Sequence, residues 1–347
     1  MKKIILTGGG TAGHVTPNIA LIPELKKEYQ VIYIGRCGEN IIEQQLIEKI
    51  GIPYFSITSG KLRRYLSIEN IKDVFKVLKG FFESIILLKK LKPDIVFSKG
   101  GFVTVPVILA SKILKIPVVI HESDLTVGLA NKISIPIAKE VCTSFKETSE
   151  FIKGKGIATG TPIRDELFQG KNISSQLFCD VKPVVLVIGG SLGAKVINEF
   201  IYNNLDKILV NYNIIHICGK NNYKDIKRNG YFLVEYVIDE LSDYLATADI
   251  IISRAGSNSI FELLALKKPN ILIPLGRNAS RGDQILNAEN FSKKGFSIVT
   301  YEDDINELYE NIRTLDENKE KYIKKMDEYD FNNGIDSIIK VIKKYTK

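Results

Sequence analysis

The stretch Gly8-Gly9-Gly10-Thr11-Ala12-Gly13-His14 decides the fold of the first half of this chain. It follows a short apolar run at residues 4–7, precedes a helical pattern and satisfies G-x-G-x-x-G. In that context a strand ends in a tight turn, and the N–H groups of the turn and of the helix N-terminus form an anion site. The alternative is a tight strand-to-helix turn that binds nothing.

A nicotinamide dinucleotide site would also require an acidic residue at the end of the second strand. The apolar run at residues 31–34 ends in Gly35-Arg36-Cys37, and the first carboxylate after it belongs to Glu39. This weakens the dinucleotide interpretation and leaves phosphate binding.

The pattern recurs at residues 184–188, an apolar run that ends in Gly189-Gly190-Ser191-Leu192-Gly193-Ala194. Further apolar runs lie at residues 94–97, 118–120, 214–217, 250–252 and 271–273. Fully apolar strands between amphipathic helices indicate parallel sheets covered on both faces. The sequence therefore predicts an α/β fold of two Rossmann-like, doubly wound domains that face each other across a cleft, with ligands beyond the carboxyl ends of the strands.

The boundary between the halves is expected in the polar stretch 160–182, which carries Pro162 and is followed by Pro183. We expect an N-terminal domain at residues 1–160, a C-terminal domain at 161–330 and a C-terminal helix at 331–347. That helix could pack back on the N-terminal domain.

A third motif, Arg254-Ala255-Gly256-Ser257-Asn258-Ser259-Ile260-Phe261-Glu262, follows the apolar run at residues 250–252. Its small residues let a backbone approach a ligand, and Glu262 falls about one turn into the next helix. A carboxylate there can accept both hydroxyls of a ribose. Equally, Glu262 could be an ordinary acidic residue favoured by the helix dipole.

The chain has three histidines, and His14 directly follows the first glycine loop. Because the dipole at a helix N-terminus disfavours imidazolium, we expect His14 to be neutral and able to accept a proton. His121 ends a strand and is expected to face the cleft. His216 lies within a strand and is expected in the core.

Composition sets limits on the class of protein. Of 347 residues, 45% are hydrophobic and 25% charged, which is typical of a globular chain. The four cysteines are scattered, which favours a reducing compartment over a disulfide framework or a zinc site. No Asp-x-Asp occurs, so the usual way of holding a nucleotide sugar through a metal is missing, and we expect no metal and no cofactor.

The apolar run after Met1 is too short for a signal peptide, so any membrane contact should be peripheral.

The positive charge is concentrated between Lys61 and Lys92, where nine basic residues face three acidic ones. Within this segment Ile71, Phe75, Leu78 and Phe81 form one stripe at helical spacing. The stripe is either a core-facing surface with solvated lysines or a membrane patch that meets anionic lipid.

Six motifs in this order resemble the MurG family of peptidoglycan N-acetylglucosaminyltransferases, glycosyltransferase family 28. They are residues 9–14, His121-Glu122-Ser123-Asp124, Gly160-Thr161-Pro162-Ile163-Arg164, residues 189–194, Arg254-Ala255-Gly256-Ser257 and Asp283-Gln284-Ile285-Leu286-Asn287-Ala288. The resemblance covers nearly the whole chain. It implies the two-domain architecture known as GT-B and metal-independent, inverting transfer from UDP-N-acetylglucosamine to the 4-OH of the muramoyl sugar of undecaprenyl-pyrophosphoryl-MurNAc-pentapeptide, which converts lipid I to lipid II.

The resemblance also implies roles for individual residues. In the C-terminal half, uracil would lie between Arg164 and Ile238, and Glu262 would bind the ribose. The diphosphate would meet Ser191, Ser257, Asn258 and Ser259, and the sugar would meet Asp283, Gln284 and Asn287. In the N-terminal half, Thr11, Ala12, Gly13 and Asp124 would bind the lipid acceptor, with His14 or Glu122 as the general base.

Some residues depart from the family's pattern. The usual His-Glu-Gln-Asn reads His121-Glu122-Ser123-Asp124, and the usual Thr-Gly-Gly-His reads Thr11-Ala12-Gly13-His14. A second acceptor loop, normally Gly-Gly-Tyr-x-Ser-Gly-Pro, reads Gly100-Gly101-Phe102-Val103-Thr104-Val105-Pro106. The acceptor side therefore departs more than the donor side, where Asp283 stands in place of a common Gln.

Three functions remain open from the sequence. The first is the lipid I transferase, at the cytoplasmic face of an anionic membrane. The second is another enzyme of this architecture, a glycolipid synthase or a UDP-N-acetylglucosamine 2-epimerase. The third is a nucleotide-sugar sensor or a basic nucleic-acid module. The stripe from Ile71 to Phe81 argues against the epimerase, which needs no membrane patch. Its side chains fall on one face of a helix, an arrangement that favours burial in a core or contact with lipid over stacking with nucleic-acid bases.

Overall fold

The structure is a computed structural model that describes residues 1–9, 12–38, 41–60, 68–190, 192–237, 240–276 and 282–346. The side chains of Ala12 and of residues 68–72 are also outside the description. The chain forms two compact units. One comprises Met1–Arg164 with Asn332–Lys347, and the other comprises Asp165–Phe331.

The first unit contains a parallel sheet of seven strands in the order β3-β2-β1-β4-β5-β6-β7. The strands are β1 (Lys2–Thr7), β2 (Tyr29–Arg36), β3 (Tyr54–Ile57), β4 (Ile95–Ser98), β5 (Val118–Glu122), β6 (Glu140–Thr143) and β7 (Gly156–Ala158). The helices between them are α1 (Ala12–Lys26), α2 (Ile42–Lys49), α3 (Ile68–Leu91), α4 (Thr104–Ile113), α5 (Leu129–Ser134) and α6 (Lys146–Phe151).

The second unit contains a parallel sheet of six strands in the order β10-β9-β8-β11-β12-β13. The strands are β8 (Val184–Ile188), β9 (Asn213–Ile217), β10 (Tyr231–Val234), β11 (Ile250–Ser253), β12 (Asn270–Leu272) and β13 (Ser297–Val299). The helices are α7 (Ser174–Leu177), α8 (Lys195–Ile208), α9 (Leu241–Thr247), α10 (Ser257–Ala265), α11 (Asp283–Lys293) and α12 (Leu308–Asp327). The described part of the unit also contains two 3-10 helices, Asp165–Gln169 and Glu302–Glu307.

Both sheets are buried on both faces, as their apolar strands predict. In β1, Ile4 packs in one apolar cluster and the next residue, Ile5, packs in another, because successive side chains point to opposite faces. The central strands are therefore continuous apolar runs, and the α/β fold class predicted from them is confirmed. Both strand orders are those of a doubly wound sheet, in which the first and fourth strands are neighbours.

The last helix, α13 (Gly334–Lys344), belongs to the first unit. Ile338 and Ile342 are fully buried in the same apolar cluster as Leu21 and Leu25 of α1. Asn333 fixes the start of this helix. Its amide oxygen accepts hydrogen bonds from the N–H groups of Ile335 (3.4 Å) and Ile163 (3.1 Å), and its amide nitrogen donates to the Ile163 carbonyl (3.0 Å). Asn333 therefore joins the returning chain to the segment that leaves the unit.

Over the described part of the chain, none of the helices is both long enough and apolar enough to cross a bilayer.

Replacing Asn333 by alanine should lower the free energy of unfolding by about 2 kcal/mol, because it removes a helix cap and two hydrogen bonds to Ile163. Urea denaturation measures this effect. Asn332→Ala is the matched control, since exposed Asn332 bonds only the nearby Ser337 hydroxyl (2.9 Å) among the contacts described. An equal effect of the two substitutions would contradict the role of Asn333.

Candidate active site

The first unit has its topological switch point between β1 and β4. The chain runs from β1 toward β2 on one side and from β4 toward β5 on the other, so the connections diverge beyond the loops after β1 and β4 and leave a crevice. The loop after β1 carries Gly8 and Gly9, and the loop after β4 carries Lys99, Gly100 and Gly101. Open α/β sheets bind ligands at this place.

The two loops approach each other through backbone atoms. The N–H of Gly9 points at the carbonyl of Gly100 (3.4 Å). A Cβ on Gly101, which has φ +92°, would overlap the Gly9 carbonyl. A Cβ on Gly8 would lie 2.9 Å from the His14 carbonyl. Close contact therefore requires glycine at both Gly8 and Gly101, and at Gly101 the positive φ requires it as well.

His14 lies in the first turn of α1 and is half-buried, and Gly13 before it is exposed. The N-terminus of this helix is directed at the crevice side of β1, where a helix dipole favours an anion. Thr11 lies outside the described residues, and Ala12 is described by its backbone only.

Glu122 ends β5 and is buried, with both carboxylate oxygens engaged. One oxygen accepts the N–H of Asp124 (3.1 Å), and the other accepts the N–H of Gly128 and the Asn131 amide, both at 2.9 Å. Burial, and then the Asp124 carboxylate, raise the pKa of Glu122. These contacts make Glu122 the residue that shapes the loop after β5, on which half-buried Asp124 lies.

Behind this loop is a buried cluster that the sequence did not predict. The Lys99 ammonium is 2.8 Å from His121 Nδ1 and contacts the Ser123 hydroxyl. His121 Nε2 is 3.0 Å from the Gly160 carbonyl, so it donates there and leaves Nδ1 as the acceptor for Lys99. Burial and then the Lys99 charge lower the pKa of His121 well below its ordinary value. His121, which was expected to be accessible at the end of its strand, is thus fully buried and bonded at both nitrogens.

Arg164 is the last residue of the first unit before the chain enters the second, and its side chain is half-buried. Ile238 and Ser191, the other residues expected near uracil and diphosphate, lie outside the described residues.

The second unit has its switch point between β8 and β11. After β8 the N–H of Gly193 donates to the Gly190 carbonyl (2.9 Å), and both glycines have positive φ. A Cβ on Gly193 would overlap the carbonyl of Cys218, and one on Gly219 would overlap the backbone of Gly193. This glycine loop is therefore seated against the loop after β9, much as the loops of the first unit are seated against each other.

Across the switch point, α10 begins at Ser257 after the extended residue Gly256. Ser257 is buried, Asn258 is half-buried and Ser259 is exposed, all in the first turn. Glu262 is half-buried in the second turn. The N-terminus of α10 thus lies next to the glycine loop after β8, and Glu262 lies about one turn further along.

The residues of α11 have unequal exposure. Asp283 and Gln284 are half-buried, and the Gln284 amide oxygen accepts the N–H of Leu275 (3.0 Å). Asn287 is fully buried and donates to the Ala255 carbonyl (3.3 Å). Asn287 therefore fixes the turn before α10. Asp283 is the first residue of α11 and is only half-buried.

A second feature missed from the sequence is the ion pair between Arg254 and Glu302 (2.7 Å). Arg254 also donates to the Ile273 carbonyl (3.2 Å), and Glu302 accepts the N–H of Gly276 (3.1 Å). The pair ties the turn before α10 to the loop after β12. The partners are 48 residues apart, so no local pattern could have paired them.

His216 is a core residue, as predicted. It is fully buried, with Nδ1 2.8 Å from the Tyr231 hydroxyl and Nε2 3.0 Å from the Asn198 amide oxygen. Burial lowers the pKa of His216 to about 3.

Helix α3 presents an apolar stripe to solvent whose phase differs from the predicted one. Phe75, Leu78, Phe82 and Ile86 are exposed, with Phe75 at 67% and Phe82 at 61%. Phe81 instead is partly buried and packs against the buried cluster that contains Val107, because it lies at the edge of the exposed face, on the side toward the core. The exposed stripe therefore shares Phe75 and Leu78 with the predicted one. It contains Phe82 and Ile86 in addition, and it does not contain Phe81. The side chain of Ile71 is outside the description.

Within the described ranges, no three or more His, Cys, Asp or Glu side chains are grouped so that they could hold a metal ion.

The glycosyltransferase family 28 N-terminal domain matches residues 4–143, and the family 28 C-terminal domain matches residues 184–342. The two matches fall on the two sheets, each of which has glycine loops at its switch point. The chain belongs to glycosyltransferase family 28 and is a glycosyltransferase.

The chain is similar to one curated transferase and to a solved MurG structure, and it shares its fold with a further solved structure. A UDP-N-acetylglucosamine--N-acetylmuramyl-(pentapeptide) pyrophosphoryl-undecaprenol N-acetylglucosamine transferase of Clostridium botulinum is 54% identical over 356 residues that cover both chains fully. MurG of Acinetobacter baumannii is 26% identical with a TM-score of 0.75, over 99% of this chain and 100% of that one. A UDP-GlcNAc 2-epimerase of Neisseria meningitidis bound to UDP-GlcNAc shares the fold alone, with 16% identity, a TM-score of 0.69, and coverage of 99% of this chain and 100% of that one.

Proposed function

We propose that this protein transfers N-acetylglucosamine from UDP-N-acetylglucosamine to the 4-OH of the muramoyl sugar of undecaprenyl-pyrophosphoryl-MurNAc-pentapeptide, with inversion at the anomeric carbon. The observation that carries the proposal is the 54% identity to the Clostridium botulinum transferase over the full length of both chains. The epimerase alternative is not favoured, because its likeness extends to the fold alone.

The donor is assigned to the second unit. Its diphosphate would lie at the N-terminus of α10 and against the loop 189–193, where backbone N–H groups stabilise negative charge. Glu262 would accept the ribose hydroxyls, and Asp283 would contact the sugar. Arg254, Gln284 and Asn287 make the contacts described above with the loops around this site. We therefore assign them the role of holding these loops in place.

The acceptor is assigned to the first unit, with its pyrophosphate at the loop 8–13 and its sugar toward Asp124. His14 is the better of the two candidate bases. His14 is half-buried in the first turn of α1 and is partly open to solvent, whereas Glu122 is buried and only 5% exposed. His14 takes the proton of the 4-OH as the new bond to the anomeric carbon forms, and UDP leaves with the electron pair of the broken bond.

Membrane contact is assigned to the exposed stripe of α3 formed by Phe75, Leu78, Phe82 and Ile86. Lys76 and Lys79 lie beside it and are exposed. An amphipathic helix of this kind inserts its apolar side chains below lipid headgroups while its lysines meet the phosphates. This supports a peripheral position at the cytoplasmic face of the membrane, and the stripe suits lipid rather than nucleic acid.

The transfer itself is tested with radiolabelled UDP-N-acetylglucosamine and lipid I in the presence of EDTA, followed by extraction into organic solvent. Label in the lipid fraction is the expected result. Label that appears only in UDP-N-acetylmannosamine would favour the epimerase instead.

His14→Ala should lower kcat by at least about 100-fold, because a general base contributes roughly 10²–10⁴-fold to the rate. Its affinity for UDP should stay unchanged, since the donor is assigned to the other unit. If turnover recovers fully at saturating lipid I, His14 only binds the acceptor and is not the base.

Glu262→Ala should weaken UDP binding by about 30–150-fold, which corresponds to about 2–3 kcal/mol for two lost hydrogen bonds to the ribose. Calorimetry measures the dissociation constant. Glu199→Ala is the matched control, because Glu199 is an exposed acid on α8 of the same unit. An unchanged dissociation constant for the Glu262 variant would remove the ribose assignment.

The Phe75→Ser, Phe82→Ser double variant should bind phosphatidylglycerol vesicles about tenfold more weakly or worse, because two exposed aromatic side chains no longer enter the lipid. Its melting temperature should be unchanged. Phe151→Ser is the control, since Phe151 is even more exposed, lies in the same unit and is outside the stripe. Equal retention of the double variant and the control on vesicles would contradict the membrane patch.

A further inference from the structure

Lys99 occupies an unusual position for a lysine. It directly follows β4 at the switch point of the first unit and precedes Gly100, yet only 2% of its surface is exposed. A Cβ placed on Gly8 would lie 3.0 Å from the Lys99 Cβ. The side chain therefore starts between the two glycine loops and runs into the interior of the unit.

The buried ammonium has specific partners. It contacts the Ser123 hydroxyl and lies 2.8 Å from His121 Nδ1. His121 in turn donates to the Gly160 carbonyl at 3.0 Å. One chain of polar contacts thus connects the loop after β4 with the end of β5 and with the loop after β7.

Such a cluster has a cost, because an ammonium loses its hydration on burial. Apolar side chains of similar volume are often at least as stabilising as a buried ion pair. The two carboxylates near Lys99, those of Glu122 and Asp124, compensate part of the cost. The Lys99 ammonium contacts His121 and Ser123, which both belong to the segment from His121 to Asp124. His121 is held in turn by its hydrogen bond to the Gly160 carbonyl.

We propose that Lys99 is a positioning residue for the acceptor, which holds the segment from His121 to Asp124 in register with the glycine loops at residues 8–9 and 100–101. The inference rests on the proposed function, in which Asp124 and the loop 8–13 bind the sugar and pyrophosphate of lipid I. Lys99 is buried and acts through this segment rather than by contact with the substrate.

The charge of Lys99 changes in an accessible pH range. Burial lowers the pKa of Lys99 to about 8, although the charges of Glu122 and Asp124 and the Cys142 thiol oppose this. The facing His121 is kept neutral by its own lowered pKa. Lys99 is therefore charged below about pH 8 and loses its proton as the pH rises through that value, so acceptor binding should weaken on the alkaline side.

The test compares Lys99→Met with the wild type at saturating UDP-N-acetylglucosamine and variable lipid I. The KM for lipid I should rise by about tenfold or more, with kcat within about threefold and UDP affinity unchanged. The wild-type loss of kcat/KM for lipid I near pH 8 should be absent from the variant. An unchanged KM and an unchanged alkaline limb would overturn the proposal.

Two further variants separate positioning from stability. Lys155→Met removes another lysine of the same unit, one that donates to the carbonyls of Ile135 and Ala138 at 2.9 and 2.8 Å. It should lower the melting temperature and leave the KM for lipid I unchanged. Ser123→Ala keeps Lys99 and removes one partner, and should raise the KM severalfold even if Lys99→Met does not fold.

The outcomes distinguish the two proposals. A wild-type protein that does not label lipid I at all would refute the proposed function. A wild-type protein that labels lipid I, together with Lys99→Met and Ser123→Ala variants whose KM matches that of the Lys155→Met control, would refute only the role of Lys99.

Discussion

Close backbone contact between paired loops at the carboxyl edge of each sheet constrains the rest of the structure. Gly101 lies against Gly9 in the first unit, and Gly193 lies against Gly219 in the second. A side chain at any of these positions would separate the loops. With the loops in contact, α1 starts beside the switch point of its sheet and α10 starts beside the loop after β8, so each unit directs a helix N-terminus at its crevice.

This constraint explains why many polar side chains of the site are occupied by the protein itself. Glu122 accepts three hydrogen bonds from its own loop, and Asn287 donates to the turn before α10. Arg254 and Glu302 tie that turn to the loop after β12. In the proposed function, binding is assigned chiefly to backbone N–H groups and to a few side chains, among them His14 and Glu262. Such preorganised groups stabilise a diphosphate leaving group without rearrangement.

The sequence predicted the features that have a local signal. Apolar runs located the central strands, and glycine loops located both switch points. Edge strands such as β3 and β7 were missed because they are short and only partly apolar. Phe81 was grouped in one stripe with Phe75 and Leu78, although it packs against a buried cluster, since spacing gives the phase of a stripe but not which of two adjacent stripes meets the core. Lys99 and the Arg254–Glu302 pair depend on contacts 22 to 48 residues apart and carry no local pattern.

The central claim is that the second unit holds the nucleotide and the first holds the acceptor. Hydrogen–deuterium exchange with and without saturating UDP tests it directly. UDP should slow exchange in peptides that cover residues 186–198 and 252–264, and it should leave peptides that cover residues 5–16 and 97–104 unchanged. Protection of the loops after β1 and β4 by UDP, without protection of the loops after β8 and β11, would contradict the account.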